Sequence, residues 1–426
     1  MSWLDLAADD PFGLHNLPYG IFVERPVPAA AVPASGWRVG VRVGGRVLDL
    51  GGAERSGLLH TGSVMRQPSL NAFLALGRPQ WTAVRRRLVE LLTDEAHRPA
   101  VEPLLVAVDG VELRLPFEVG DYVDFYASQE HATNLGRLLR PGQPPLPPNW
   151  KHLPLGYHGR SGTVVVSGTD IVRPCGQYLP AGPAGEQARP AAAGEQAPVF
   201  GPSLRLDIEA EVGFVVGVGS EPGQPLSPVD FGGYVFGVVL VNDWSARDLQ
   251  AWEYTPLGPF AGKSFGTSIS PWVVPLDALD AARVAAPVQD PPVLPYLVDD
   301  RTGYDITLEV RWNGTPVSRP PFAGLYWTPA QQLAQLTANG ARVRTGDLYA
   351  SGTVSGPVQD QTGSFIELTW GGTRPVTLAD GSTRTFLADG DTVTITATAP
   401  GPGGSRLGLG EVTGAILPPT RATTAR

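Results

Sequence analysis

Between Ile21 and Leu50 short apolar stretches alternate with turn residues. From Trp37 to Leu50 Val39, Val41 and Val43 precede Gly44-Gly45 and Val47, Leu48 and Leu50 follow it, which predicts a β-hairpin closed at those glycines. From 69 to 97 the period changes, with Leu70, Phe73, Leu74, Val84, Leu88, Leu91 and Leu92 at helical spacing, and Val101 to Pro116 returns to strand character. Further on, Leu204, Leu206, Ile208, Ala210, Val212 and Phe214 alternate with Arg205, Asp207, Glu209 and Glu211, predicting a strand from Leu204 to Val218 with one acidic face. Strands are also predicted at Gly233 to Val241, Tyr304 to Trp312 before an Asn313-Gly314 turn, Ser364 to Trp370 and Asp391 to Thr398. Thr328 as N-cap, Pro329 in the first turn and Gly340 beyond the end bracket a helix carrying Leu333, Leu336 and Thr337 on one side. A second helix starts near Ser128, where the spacing turns Leu135, Leu138 and Leu139 inward and leaves His131 in the first turn.

Composition agrees with a mainly β fold containing some α, since the 426 residues include 52 glycines and 43 prolines, the usual punctuation of many short strands. A small β-barrel fits the first stretch, so the expected organisation is an N-terminal domain over 1–117 and a larger one over 118–426. Segment 180–198, with its repeat Ala184-Gly-Glu-Gln-Ala188 and Ala193-Gly-Glu-Gln-Ala197, is too poor in large apolar groups to pack and reads as a flexible surface insertion. The net charge of −9 gives no field to hold nucleic acid or an anionic membrane. The single cysteine, Cys175, forms no intramolecular disulfide and has no basic neighbour to activate it; the N-terminus lacks a basic leader, and the longest apolar run, Tyr234 to Val241, is too short to span a bilayer. A soluble, cytoplasmic protein is expected.

The acidic face between Asp207 and Glu211 is either solvated or a cation site, and i and i+2 positions about 7 Å apart allow Glu209 and Glu211 to share one ion. Asp243, at the end of an apolar run, and Asp124, amid aromatics in Asp121-Tyr-Val-Asp-Phe-Tyr126, add carboxylates at element ends, although Asp243 can equally cap Trp244 to Trp252. An all-oxygen set suits Ca²⁺ or Mg²⁺, and six histidines with one cysteine leave little for zinc. His131 reads either as a packed or capping histidine or as a general base for water, for which Glu367 is a partner candidate. Lys263 lies in a glycine-rich stretch that misses the phosphate-loop spacing, and the prolines around Ser264 argue against a nucleophile elbow, so Lys263 reads as a cation beside the acidic cluster or the substrate, or as a surface lysine.

Four stretches together resemble the fumarylacetoacetase family: Asp121 to Asn134, Pro148 to Arg160, Asn242-Asp-Trp-Ser-Ala-Arg-Asp248 and Trp252 to Phe260. The likeness continues through Gly262 to Trp272, Ala350-Ser-Gly-Thr353 and Thr385 to Gly390, and departs mainly at 180–198 and at the tail from Thr420 to Arg426. The resemblance implies an N-terminal SH3-like β-barrel, a C-terminal mixed β-sandwich or β-roll domain, a homodimer, and hydrolysis of the carbon-carbon bond of 4-fumarylacetoacetate, a small diketo acid, to fumarate and acetoacetate in the final step of tyrosine and phenylalanine catabolism. Carried over by position, it implies Ca²⁺ or Mg²⁺ on Asp124, Glu209, Glu211 and Asp243, with Lys263 and Thr267 at a Mg²⁺ position or in its outer shell. It implies His131 as base oriented by Glu367, Arg140, Gln250 and Lys263 opposing the oxyanion, and substrate contacts at Tyr126, Arg140, Tyr157, Gln250, Tyr254 and Thr353. Two rival readings are an acylpyruvase or oxaloacetate decarboxylase-like enzyme on the same acidic cluster, and a non-catalytic Ca²⁺-binding module in which His131 only packs.

Overall fold

The computed structural model describes residues 2–7, 9–25, 36–180 and 197–420. Nearly all of the 180–198 insertion, and the tail beyond Thr420, lie outside the described residues. The predicted hairpin is present: Arg38–Val43 pairs antiparallel with Arg46–Asp49, and Gly44 at φ 56° takes the left-handed turn position that favours glycine. These strands belong to a five-stranded sheet with Tyr19–Glu24, Leu105–Ala107 and Val111–Arg114. The helical period of 69–97 resolves into Asn71–Leu74 and Arg78–Thr93, parted at Gly77, and the longer helix buries Trp81, Val84, Leu88, Leu91 and Leu92. Strand character over 101–116 is confined to 105–107 and 111–114, because Pro99 and Pro103 open short helical turns before it.

The larger region is built on an eight-stranded sheet in which Tyr122–Phe125, Leu348–Ala350, Ala210–Val216, Val235–Asp243 and Thr267–Ile269 run side by side. A second, five-stranded sheet contains Thr307–Trp312, Thr392–Pro400 and Arg406–Leu417. One face of the eight-stranded sheet, with Val212, Phe214, Val238 and Leu240, packs on Leu308, Trp312, Ile395 and Leu409 of the second sheet. Its other face, with Val215, Phe236, Val239 and Val241, is roofed by Tyr19, Ile21, Phe73 and Trp81 of the N-terminal region. Phe236 sits at the centre of that roof, with ring centroids 5.4, 5.6 and 5.2 Å from Tyr19, Phe73 and Trp81. Covered on both sides, Val235–Asp243 is buried at every position, which is why it reads as an apolar run rather than an alternation.

Three local expectations are corrected. The Leu204–Val218 strand begins at Leu206, breaks at 208–209 and resumes as Ala210–Val216, leaving Leu204 65% exposed. Its acidic face is not solvated, since Asp207, Glu209 and Glu211 are all buried. Glu211 and Asp243 share the side of the sheet that carries Val215, Val239 and Val241, and the N-terminal region covers that side. Ser364 to Trp370 is not a strand but contains the one-turn helix Phe365–Leu368, because the Asp207 carboxylate accepts from the N–H groups of Phe365 and Ile366 at 2.7 and 3.1 Å and caps the turn from across the fold. The Thr328 helix is present as Pro329–Thr337 with a Thr328–Gln331 capping box, and Gly340 follows at φ 84°.

Candidate active site

Strand ends bring the carboxylates together. Asp124 lies within Tyr122–Phe125, Asp243 closes Val235–Asp243, and Glu209 occupies the break before Ala210–Val216. One oxygen from each of these three lies within 4.8 Å of the others, and all three side chains are buried. Glu211 stands outside that trio, and its two oxygens are buried without a hydrogen-bond partner, as is Asp124 Oδ1. Asp243 caps no helix, for the next one starts at Arg247 with Ala246 as its N-cap. Its oxygens accept instead from Tyr157 Oη at 2.7 Å, Thr267 Oγ1 at 3.0 Å and Lys263 Nζ at 2.8 Å.

Two buried cations answer this charge. Lys263 Nζ also donates to Glu209 Oε2, and Arg247 reaches Glu209 Oε1 at 2.8 Å while its Nε donates to Asp207 Oδ2 at 2.7 Å. Burial opposes the ionisation of Glu209, but Lys263 and Arg247 outweigh it and hold the carboxyl down at about 2. Burial likewise disfavours charge on Lys263 and Arg247, and the carboxylates around them reverse that and hold both protonated. Asp124 and Glu211 go the other way, pushed well above the carboxylate range by burial and by the neighbouring carboxylates. Lys263 and an Arg247 shared with Asp207 do not balance Asp124, Glu209, Glu211 and Asp243. The unpartnered oxygens and the charge deficit fit a hard divalent cation, and the trio offers oxygen donors alone.

Beside the carboxylates stands a histidine pair. Ser128 caps the helix Gln129–Leu139 by accepting from His131 N, which fixes His131 in the first turn; Leu135 is buried, and Leu138 and Leu139 are half-buried. His131 Nδ1 donates to Glu367 Oε2 at 2.6 Å, and His131 Nε2 lies 3.8 Å from Glu209 Oε1. Glu367 accepts further from Ser364 Oγ at 2.6 Å, Ser355 Oγ at 3.0 Å and Asn134 Nδ2 at 3.0 Å. Burial works against its charge, yet His131 and these donors hold the carboxyl below its usual range. A carboxylate accepting at Nδ1 sets the imidazole tautomer with its lone pair on Nε2, the nitrogen that faces the carboxylate cluster. The Tyr126 ring stands edge-on to His131, centroids 5.4 Å apart.

The other sequence candidates are less tightly tied in. Arg140 follows the His131 helix, with one guanidinium nitrogen donating to Pro145 O at 3.0 Å. Gln250 Oε1 accepts from Arg247 at 3.1 Å, and among the described residues its amide N–H groups have no hydrogen-bond partner. Thr353 Oγ1 is buried without a partner, and Tyr254 is half-buried at the end of the Arg247–Glu253 helix. Gly352 at φ 78° lets the 351–355 segment approach residues 125–126 so closely that a Cβ would strike the Phe125 carbonyl. Sequence reasoning assigned no role to Arg247, Asn134, Ser355, Ser364 or Asp207. Asn134 carried a signal, three residues from His131 on one helix face, whereas Asp207 and Ser355 meet their partners only through the tertiary fold.

Comparison with known proteins identifies relatives of the chain. Residues 122–416 match the family model described as fumarylacetoacetate hydrolase C-terminal, and residues 15–116 match that described as fumarylacetoacetase N-terminal. Fumarylacetoacetase from Homo sapiens is 44% identical over 437 residues, covering 98% of this chain and 99% of the relative. Fumarylacetoacetase from Arabidopsis thaliana is 43% identical over 440 residues, covering 98% of each. The solved structure of a fumarylacetoacetate hydrolase from Exiguobacterium antarcticum shares the fold, with a TM-score of 0.53 at 16% identity, covering 94% of this chain and 99% of that one.

Proposed function

The chain belongs to the fumarylacetoacetate hydrolase family and is a hydrolase of 4-fumarylacetoacetate in tyrosine catabolism, and we propose that the His131–Glu367 pair and the buried carboxylate cluster carry its reaction. The observation that supports this most is His131 Nε2 facing Glu209 across 3.8 Å, with Nδ1 bonded to a carboxylate that three further donors hold in place. His131 Nε2 takes a proton from water as the water oxygen bonds to the carbonyl carbon of the fumaryl group. Glu367, held ionised, orients the ring and stabilises the imidazolium that results. The free amide of Gln250 and the guanidinium of Arg140 oppose the oxyanion, with Lys263 adding charge from behind Glu209 and Asp243. When that oxyanion collapses the carbon-carbon bond breaks, its electron pair leaves with the acetoacetate carbon, and the His131 imidazolium is placed to return the proton. Tyr126, Tyr157, Tyr254 and Thr353 complete the substrate contacts in this reading.

Asp124, Glu209, Glu211 and Asp243 would hold a divalent cation, Ca²⁺ or Mg²⁺, with Lys263 and Thr267 outside its ligand set. When bound, that ion supplies Lewis acidity toward the developing enolate of the leaving group. Lys263 is not a ligand in this reading, because its carboxylate partners keep it protonated. The division between N- and C-terminal units is placed at 117/118, supported by the short connection between Val111–Arg114 and Tyr122–Phe125. A homodimer and a cytoplasmic location complete the proposal, supported by the exposed Phe200, Leu204 and Leu257 and by the single cysteine. No described helix is long and apolar enough to cross a membrane. Light scattering and cell fractionation check these two points.

The direct test follows the ultraviolet absorbance of fumarylacetoacetate with purified protein, with EDTA, and after adding back Ca²⁺ or Mg²⁺. Metal-restored loss yielding fumarate and acetoacetate is expected. Turnover of a smaller acylpyruvate instead, or metal binding without turnover, would overturn the assignment in favour of a rival reading.

A further inference from the structure

Tyr157 and Lys263, which donate to the carboxylate cluster on one side, line on the other a cavity of about 310 Å³ together with His158, Arg160, Phe260 and Ser264. The cations of this wall are not equivalent. Lys263 is buried and ion-paired with Glu209 and Asp243, so its donors are held at the cluster. Arg160 is exposed, and among the described residues its guanidinium enters no ion pair, side-chain hydrogen bond or aromatic stack. Arg140 acts on Tyr126, the ring that stands against His131, and among the described residues its guanidinium donates to one backbone carbonyl, Pro145 O. Two arginines with open donors among the described residues therefore stand near the site, Arg140 by Tyr126 and Arg160 by Tyr157. The substrate of the proposed function, on which this inference rests, carries a carboxylate at each end of its chain.

We propose that Arg160 is a specificity-determining residue that receives the substrate carboxylate on the Tyr157 side of the site, selecting dicarboxylate diketo acids over acylpyruvates with one carboxylate. A guanidinium presents paired donors matched to a carboxylate, and a solvent-facing cavity wall lets it meet the anion before the chain reaches the buried cluster. The contact forms in the bound substrate as fully as in the transition state, so its loss appears in KM rather than in kcat.

The test compares wild-type protein with Arg160→Ala and Arg160→Lys. For fumarylacetoacetate, Arg160→Ala is expected to raise KM about tenfold with kcat changed less than about twofold, and Arg160→Lys to recover part of the loss. For an acylpyruvate with one carboxylate, the Ala variant and the wild type should agree. A calorimetric titration with octanedioate and octanoate, which need no turnover, keeps the two readings apart: Arg160→Ala should weaken octanedioate about tenfold and leave octanoate unchanged. Unchanged KM and unchanged octanedioate affinity would overturn the role of Arg160 even if the wild type hydrolyses fumarylacetoacetate. Discrimination of octanedioate by Arg160 in a protein without turnover would support the carboxylate site while removing the assigned reaction.

Discussion

At the scale of single residues, His131 and Glu367 make opposite demands that can be measured separately. His131→Ala removes the proposed proton acceptor and is expected to lower kcat by roughly 10² to 10⁴ while Ca²⁺ or Mg²⁺ affinity, read by calorimetry, stays within about twofold. Glu367→Gln keeps the shape but removes the charge proposed to stabilise the imidazolium, so kcat should fall and the pH dependence of kcat/KM should shift, with the fold intact by circular dichroism. Glu209 carries a pH dependence whose sign follows from its partners. With its carboxyl held at about 2 against an ordinary 4.5, it contributes stability that is complete above pH 4.5 and is lost as pH falls toward 2. The loss is on the order of 3 kcal/mol and is checked by denaturant melts of Glu209→Gln, which should lack this acid limb. The carboxylates and the histidine were legible as residues, because charged groups among apolar and aromatic neighbours are rarely idle. Their pairing was not, since His131 and Glu367 are 236 positions apart in the chain.

At the scale of elements, Asp207 shows how a side chain can decide secondary structure at a distance. Its carboxylate caps Phe365–Leu368 through two N–H groups and pairs with buried Arg247, so Asp207→Ala leaves a buried cation and an open helix end. A loss of about 3–5 kcal/mol is expected, with Asp207→Asn losing less, checked by urea melts. Gly352→Ala should also destabilise, because the new Cβ meets the Phe125 carbonyl and the backbone there is left-handed; a lowered Tm tests it. The hairpin at Gly44-Gly45 and the Pro329–Thr337 helix were readable because turn glycines and caps act within a few residues. The helical turn at Phe365–Leu368 was not, because its cap comes from 158 residues away and the local composition favours a strand.

At the scale of the whole molecule, the N-terminal region roofs the sheet face that also carries Glu211 and Asp243, so the charge of the carboxylate cluster and the packing are coupled. Phe236→Ala, beneath that roof, should cost about 3–5 kcal/mol and lower Tm. Without a divalent ion, Asp124 and Glu211 hold protons above the usual carboxylate range. Their contribution to the metal-free fold is fullest below their ordinary values and is lost as pH rises, so Tm in EDTA should fall from weakly acid to neutral pH. Adding Ca²⁺ or Mg²⁺ should displace those protons, raise Tm most at neutral pH, and release protons measurable by calorimetry in buffers of different ionisation enthalpy. The sequence by itself determined the mainly β class, the local turns and caps, and which carboxylates, histidine and lysine were worth watching, because alternation, capping and charge among apolar residues are local properties. Only the tertiary structure decided that the acidic face is roofed rather than solvated, that Asp207 folds a distant turn, and that Arg247 and Lys263 share Glu209. Burial and charge pairing are set by which surfaces meet, and that is a property of the packed chain rather than of any window along it.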